Sequence, residues 1–251
     1  MAFIIYKLAR KQVIDGKLRT LGKHEQWYHA DEKKDFHSQY GVVKKPKPGP
    51  YKLGNEELVI LPAAFLDTYK TMKRRAQIIT RKDIGFIIGY CGLGKESVVV
   101  ESGAGSGGST LMLGHVCKNV FSYEIEQENI SIVKENIARV KLKNVTITHA
   151  DFYDEKNVKS HKADLVLLDL PEPWRAYLSA KKTLKLGGYV VAYTPAIVQA
   201  AHFVHELPKE FLHERTVEII DRDWKIEGEA IRPVSGDIGH TAFLTICRRI
   251  L

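Results

Sequence analysis

The stretch VVESGAGSGGSTL, residues 99–111, decides the fold. It joins a short apolar run, SVVVE (97–101), to STLMLGHVC, whose apolar residues recur at helical spacing. Glycines at Gly103, Gly105, Gly107 and Gly108 allow the tight turn between them and a close approach of backbone to a ligand at a helix N-terminus. Working outward, strand and helix patterns alternate: NVFSYE (119–124), ENISIVKENIARVKL, NVTITHAD (144–151), ADLVLLDL (163–170), WRAYLSAKKTLKLGG, GYVVAYTP and AIVQAAHFVHELPKE. Such alternation predicts βαβ units and a parallel sheet. Gly187 and Gly188 are expected to close the helix that begins near Trp174. The tail carries two strand-like runs without a full helix between them, which predicts a closing antiparallel pair.

The glycine loop admits two readings. Gly103, Gly105 and Gly108 satisfy G-x-G-x-x-G, the fingerprint of nicotinamide dinucleotides, although that match alone is weak. Alternatively, an acid at the strand end followed by G-x-G-x-G is the first motif of class I S-adenosylmethionine (AdoMet) methyltransferases. AdoMet carries an amino group and a sulfonium but no pyrophosphate, so an acid beside the loop suits it better. The remaining acids decide. Glu101, Glu124, Asp151 and Asp169 end four consecutive predicted strands, at the face where ligands bind in open α/β sheets. Glu124 can accept ribose hydroxyls, which serves either ligand. A dinucleotide reading offers no reason for Asp151, placed to meet an adenine amino group, or for Asp169.

The segment before this unit is different. Residues 1–54 read as a small β-rich domain, beginning with the strand AFIIYKLAR and ending in the connector VVKKPKPGPYKL, where Pro46, Pro48 and Pro50 exclude a helix interior. Residues 55–251 are expected to form the catalytic domain, opening with helical spacing in EELVILPAAFLDTYKTMKR and RKDIGFIIGYCG. The chain carries a net charge of +8, and all of that excess lies in residues 1–75, with 16 basic and 8 acidic side chains. The clusters Lys33-Lys34, Lys44-Lys45-x-Lys47 and Lys73-Arg74-Arg75 would attract a polyanion through counterion release. No run reaches the length of a membrane span, and the opening MAFIIYKLARKQVIDGK has neither the shape nor the cleavage site of a secretory signal. Cys91, Cys117 and Cys247 lack ligand spacing, so buried free thiols in a reducing cytoplasm are expected, with no disulfide and no metal site.

Six stretches together resemble a known family: KRRAQIITRKDIGFII (73–88), VVESGAGSGGSTL, SYEI (122–125), LLDLPEPW (167–174), LKLGGYVVAYTP (184–195), and IRP with GHTAFLTICRRI between 231 and 250. They are similar to the tRNA (adenine-58-N1)-methyltransferases of the TrmI type, in their archaeal form. The resemblance implies a class I Rossmann-like sheet, mostly parallel with a C-terminal antiparallel strand, behind a small amino-terminal β-rich domain. It implies AdoMet as cofactor, held by Glu101, Gly103, Ala104, Gly105, Ser106, Gly107 and Glu124. Asp151 and Phe152 would surround its adenine, with Gln77 near cofactor or target base. Asp169 would stand between methyl donor and target adenine as the catalytic carboxylate, and Tyr193, His240 and Thr241 would line the substrate pocket. Relatives place an aromatic residue and proline where this chain has Thr80-Arg81, which leaves open what packs the base there. The family forms homotetramers, and archaeal members can modify adenine 57 as well as 58. A nicotinamide-dependent oxidoreductase and a non-catalytic tRNA-binding subunit are the alternatives; the intact loop, Glu124 and Asp169 weigh against the second.

Overall fold

The computed structural model describes residues 1–14, 16–21, 23–227, 230–236 and 239–251. The chain divides into two compact units, one of residues 1–72 with 226–230 and one of 73–225 with 231–251. In the first, strands Glu25–His29, Phe3–Lys7, Glu56–Pro62 and Gly49–Leu53 pair antiparallel in that order. Alternation along them sends Phe3, Ile5, Leu58 and Ile60 to one face, where they pack with Phe36 and Val43. Two further hairpin pairs, Arg10–Ile14 with Lys17–Leu21 and Phe36–Ser38 with Gly41–Val43, complete the β-rich unit.

Two expectations fail here. Glu56–Pro62 is a strand, not the start of a helix, and the only helical turn before residue 73 is Phe65–Tyr69 among the described residues. A boundary at 54 would cut the hairpin between Gly49–Leu53 and Glu56–Pro62, so the division falls after Met72. The run ELVILP is too short for spacing to separate helix from strand, and one of its two partners lies over fifty residues earlier at Phe3–Lys7.

The second unit is built on one seven-stranded sheet. Its strands are β1 (Val98–Ser102), β2 (Asn119–Glu124), β3 (Val145–His149), β4 (Ala163–Leu168), β5 (Leu184–Thr194), β6 (Phe211–Glu218) and β7 (Phe243–Arg249). They lie in the order β3-β2-β1-β4-β5-β7-β6, and β7 alone runs antiparallel to its neighbours. The helices are α1 (Arg81–Tyr90), α2 (Gly108–Val116), α3 (Gln127–Val140), α4 (Tyr177–Thr183) and α5 (Ile197–His205). Both sheet faces are covered. Val166 and Leu168 of β4 pack with Ala176, Ala180 and Phe203, while Leu165 and Leu167 pack with Ile84, Ile87 and Leu113. That double burial is why the strands read as continuous apolar runs.

The glycine cap expected after α4 is absent: α4 ends at Thr183, and Gly187 (φ 79°) and Gly188 lie inside β5. Trp224–Glu227 and Ala230–Pro233 form a separate two-stranded sheet. Among the described residues no helix is long and apolar enough to cross a membrane. All three cysteines are unpaired, with Cys117 and Cys247 buried.

Candidate active site

The site grows from the turn between β1 and α2. Gly103, Gly105 and Gly107 take φ of 85°, 53° and 86°, a left-handed region that side chains disfavour. Gly107 caps α2, and a Cβ on Gly108 would come within 2.6 Å of Ile78. A Cβ on Gly103 would overlap the carbonyl oxygen of Asp169, whose own N–H donates to Ser102 at 3.0 Å. The loop is therefore pressed directly against the end of β4.

Glu101 stands beneath the loop and not on its surface. It is fully buried, and its two oxygens accept the hydroxyls of Ser109, Thr110 (2.5 Å) and Ser122 (2.8 Å). Burial raises its pKa, opposed by those three hydroxyl contacts. Glu124, at the end of β2, accepts from Gly105 N–H at 2.8 Å through one oxygen, and from Ile125 and Glu126 N–H at 2.9 Å through the other. It holds the loop while keeping acceptor capacity, since each carboxylate oxygen has two lone pairs.

Ser106 is also buried, and its hydroxyl is engaged by protein. It accepts the N–H groups of Arg75 and Ala76 and donates to Ala76 O, all at 2.9 Å. Asn136 of α3 grips the same segment, accepting from Lys73 N–H and donating to Lys73 O and Ser106 O. Residues 73–78 thus form a strap fastened along the glycine loop. Sequence reasoning missed Asn136, because nothing local marks a helix asparagine that binds backbone 63 residues away. Within the strap, Lys73 pairs with Glu135, and Arg75 with Glu126 and Glu128, so that basic cluster is largely balanced.

At the mouth of the loop a pocket of about 360 Å³ is lined by Gln77, Ile78, Thr80, Asp169, Tyr193, Pro195, His240 and Thr241. Five residues expected from sequence (Gln77, Asp169, Tyr193, His240 and Thr241) are brought together there. Burial, with the negative charges of Glu101 and Glu124 adding to it, pushes the Asp169 carboxyl up to about 7. Tyr193 is raised by burial first and then by the charges of Asp83 and Asp169, so its phenol keeps its proton. His240 places Nδ1 against Glu218 and donates from Nε2 to Pro195 O at 2.8 Å. Those two acceptors raise its pKa.

Asp151 and Phe152, the two residues expected around the AdoMet adenine, lie outside this pocket. Asp151 is exposed and accepts from Tyr153 N–H, outside the pocket around Asp169. The Phe152 ring is 2% exposed and packs edge-on against Tyr123 at 5.2 Å, within the core. Two residues not singled out as site residues, Lys82 and Asp83, stand behind the pocket wall, in contact with its Tyr193 and Thr241. Asp83, fully buried in the first turn of α1, accepts from Lys82 Nζ (2.8 Å), Thr80 Oγ1 (2.7 Å) and Thr241 Oγ1 (2.8 Å). A buried charge at a helix N-terminus was the available signal.

The chemistry of the donor set fits AdoMet. Carboxylates Glu124 and Asp169 stand beside the turn, and the nearby Arg75 is taken up by Glu126 and Glu128, which suits a ligand with positive sulfonium and ammonium groups. Sheet order and loop define a class I methyltransferase fold. Two solved structures share it: a SAM-dependent O-methyltransferase from Thermotoga maritima (TM-score 0.79, 22% identity, 99% of this chain and 93% of that one) and the tRNA (m1A58) methyltransferase TrmI from Aquifex aeolicus (TM-score 0.79, 24% identity, 99% and 97%). Residues 59–235 match the family described as tRNA methyltransferase complex GCD14 subunit, and the chain belongs to that family. It is 32% identical over 224 residues to the tRNA (adenine(57)-N(1)/adenine(58)-N(1))-methyltransferase TrmI of Methanocaldococcus jannaschii, covering 78% of this chain and 79% of the relative. It is also 32% identical over 199 residues to the tRNA (adenine(58)-N(1))-methyltransferase TrmI of Thermus thermophilus, covering 77% and 78%.

Proposed function

We propose that this chain is an AdoMet-dependent methyltransferase that makes 1-methyladenosine at adenine 58 of the tRNA T-loop, with adenine 57 as a second target. The observation that carries the reading is Asp169: a carboxylate at the end of β4, against the glycine loop and open to a pocket of about 360 Å³. Gly103 to Gly107 and Glu124 would hold AdoMet, with Glu101 setting the loop from below and Asp151 toward the adenine end. When bound, AdoMet supplies an electrophilic methyl group on a positive sulfonium.

Asp169, ionised, accepts a hydrogen from the exocyclic amino group of the target adenine and orients N1. As N1 gains its new bond to carbon, positive charge moves onto the adenine ring, and the carboxylate stabilises it more than it stabilises the neutral base. Tyr193, Gln77, His240 and Thr241 enclose the base, which must leave its stacked position to enter. The lysines of the first unit would grip the RNA backbone. The family resemblance supports a homotetramer and the free thiols a reducing cytoplasm, and light scattering on the purified protein tests the assembly.

The test is transfer from tritiated AdoMet to an unmodified tRNA transcript, followed by nuclease digestion, with Asp169→Ala alongside. Label in 1-methyladenosine that disappears with the variant is expected. Cofactor binding without label in RNA would overturn the substrate assignment.

A further inference from the structure

Resting on the reading above, we propose that Asp83, anchored by Lys82, is a positioning residue of the methyl-transfer site, fixing Tyr193 and Thr241 and with them the pocket wall beside Asp169. Four separated chain segments meet at the Lys82–Asp83 pair. Lys82 Nζ donates to Asp83 Oδ1 (2.8 Å), to Ile219 O beyond β6 (2.6 Å) and to Thr241 Oγ1 before β7 (2.6 Å). Asp83 Oδ2 accepts from Thr80 and Thr241, and the Tyr193 hydroxyl at the end of β5 lies 3.5 Å from it.

Stability alone is a poor reason for this arrangement. Burying an ion pair costs desolvation that its attraction barely returns, and apolar residues of similar volume hold such a junction equally well. What a fully engaged ionic network adds is geometry: each hydroxyl has one direction in which to donate. Thr80, Tyr193 and Thr241 all line the pocket that contains Asp169. With its hydrogen turned toward Asp83, the Tyr193 phenol presents a lone pair to that pocket. This is an acceptor for an amino hydrogen and a poor neighbour for a carbonyl, which favours adenine over guanine. The phenol stays protonated, because burial and both nearby carboxylates raise its pKa.

The test compares Asp83→Asn, Tyr193→Phe, their double variant and Thr241→Val in the tRNA methylation assay, with AdoMet affinity measured by calorimetry. Asp83→Asn is expected to lower kcat about tenfold or more, as misplacement of a contact does, while the AdoMet Kd changes by less than about twofold. In the Tyr193→Phe background the same substitution should cost clearly less than in the wild-type protein, because the part exerted through Tyr193 is already lost. Fully multiplicative losses would overturn the proposal, as would AdoMet affinity falling in step with kcat. If Asp83→Asn does not fold, Thr241→Val carries the test, with the same split between kcat and AdoMet affinity expected. Failure of the wild-type protein to label tRNA would instead overturn the underlying function, and is seen before any variant is compared.

Discussion

A Cβ on Gly103 would sit 2.1 Å from the carbonyl oxygen of Asp169, so the glycine loop and the end of β4 touch through a position with no room for a side chain. Gly103 also has φ 85°, which costs an L-residue about 1–3 kcal/mol. Gly103→Ala is therefore expected to displace Asp169 and the loop together. Calorimetry should show AdoMet affinity reduced, and turnover should fall by about 100-fold, the penalty of a misplacement near 1 Å. Wild-type turnover in this variant would mean that the loop and Asp169 are independent.

Asp169 should impose a pH dependence on catalysis. Its carboxyl is pushed up to about 7 by burial and by Glu101 and Glu124, and only the ionised form accepts the amino hydrogen. The value of kcat/KM for AdoMet, which reports the free enzyme, is expected to rise with pH through a single ionisation near 7. Positive charge on the bound cofactor favours the ionised form, so the corresponding limb in kcat should lie at lower pH. A profile flat from about pH 5 to about pH 9 would remove Asp169 from the rate-determining ionisation.

The same residue should make the unliganded protein less stable. The ordinary carboxyl value is 3.8 and the folded value is about 7, so between them the folded state binds more protons than the unfolded state. Stability contributed by the proton is lost as pH rises through that window. Asp169→Asn removes the buried charge, and at pH 8 it is expected to raise Tm while abolishing turnover. The gain should be on the order of 1–3 kcal/mol and vanish toward pH 4. A Tm lower than wild type at pH 8 would show that the carboxylate is well accommodated.

Ser106 is expected among the residues that hold AdoMet, and its hydroxyl fastens the strap at Arg75 and Ala76. Ser106→Ala leaves two backbone N–H groups without their acceptor, which costs about 1–3 kcal/mol where water cannot replace it. The expected outcome is weaker AdoMet binding by calorimetry and faster amide exchange across residues 75–78. Unchanged exchange there would mean that Asn136 alone fastens the strap.

The parts legible in sequence were those written locally. β4 reads as a continuous apolar run because both its faces are buried, and Gly103 to Gly108 stand out because the turn tolerates little else. Strand-end acids could be located by counting, but not which way they face. Glu101 points inward to three hydroxyls, and Phe152 enters the core, since one residue of register decides the side. The Asp83 network and the Asn136 clamp close over sequence separations of 158 and 63 residues, which no local pattern records. Glu56–Pro62 was misread because its pairing with Phe3–Lys7, and not its own spacing, makes it a strand.

The charge of the first unit supplies the last test. Lys44, Lys45 and Lys47 are exposed, and Pro46 between them is buried, so the three ammonium groups extend from a fixed loop. Each phosphate they neutralise would release counterions and steepen the dependence of tRNA affinity on salt. Replacing all three by alanine is expected to weaken tRNA binding and to reduce the slope of log K against log salt by about 2 to 3. AdoMet affinity, measured alongside by calorimetry, is expected to stay unchanged. Filter binding across a salt series measures the slope directly. An unchanged slope would place the RNA backbone on another surface and leave the basic amino-terminal third as a solvated face.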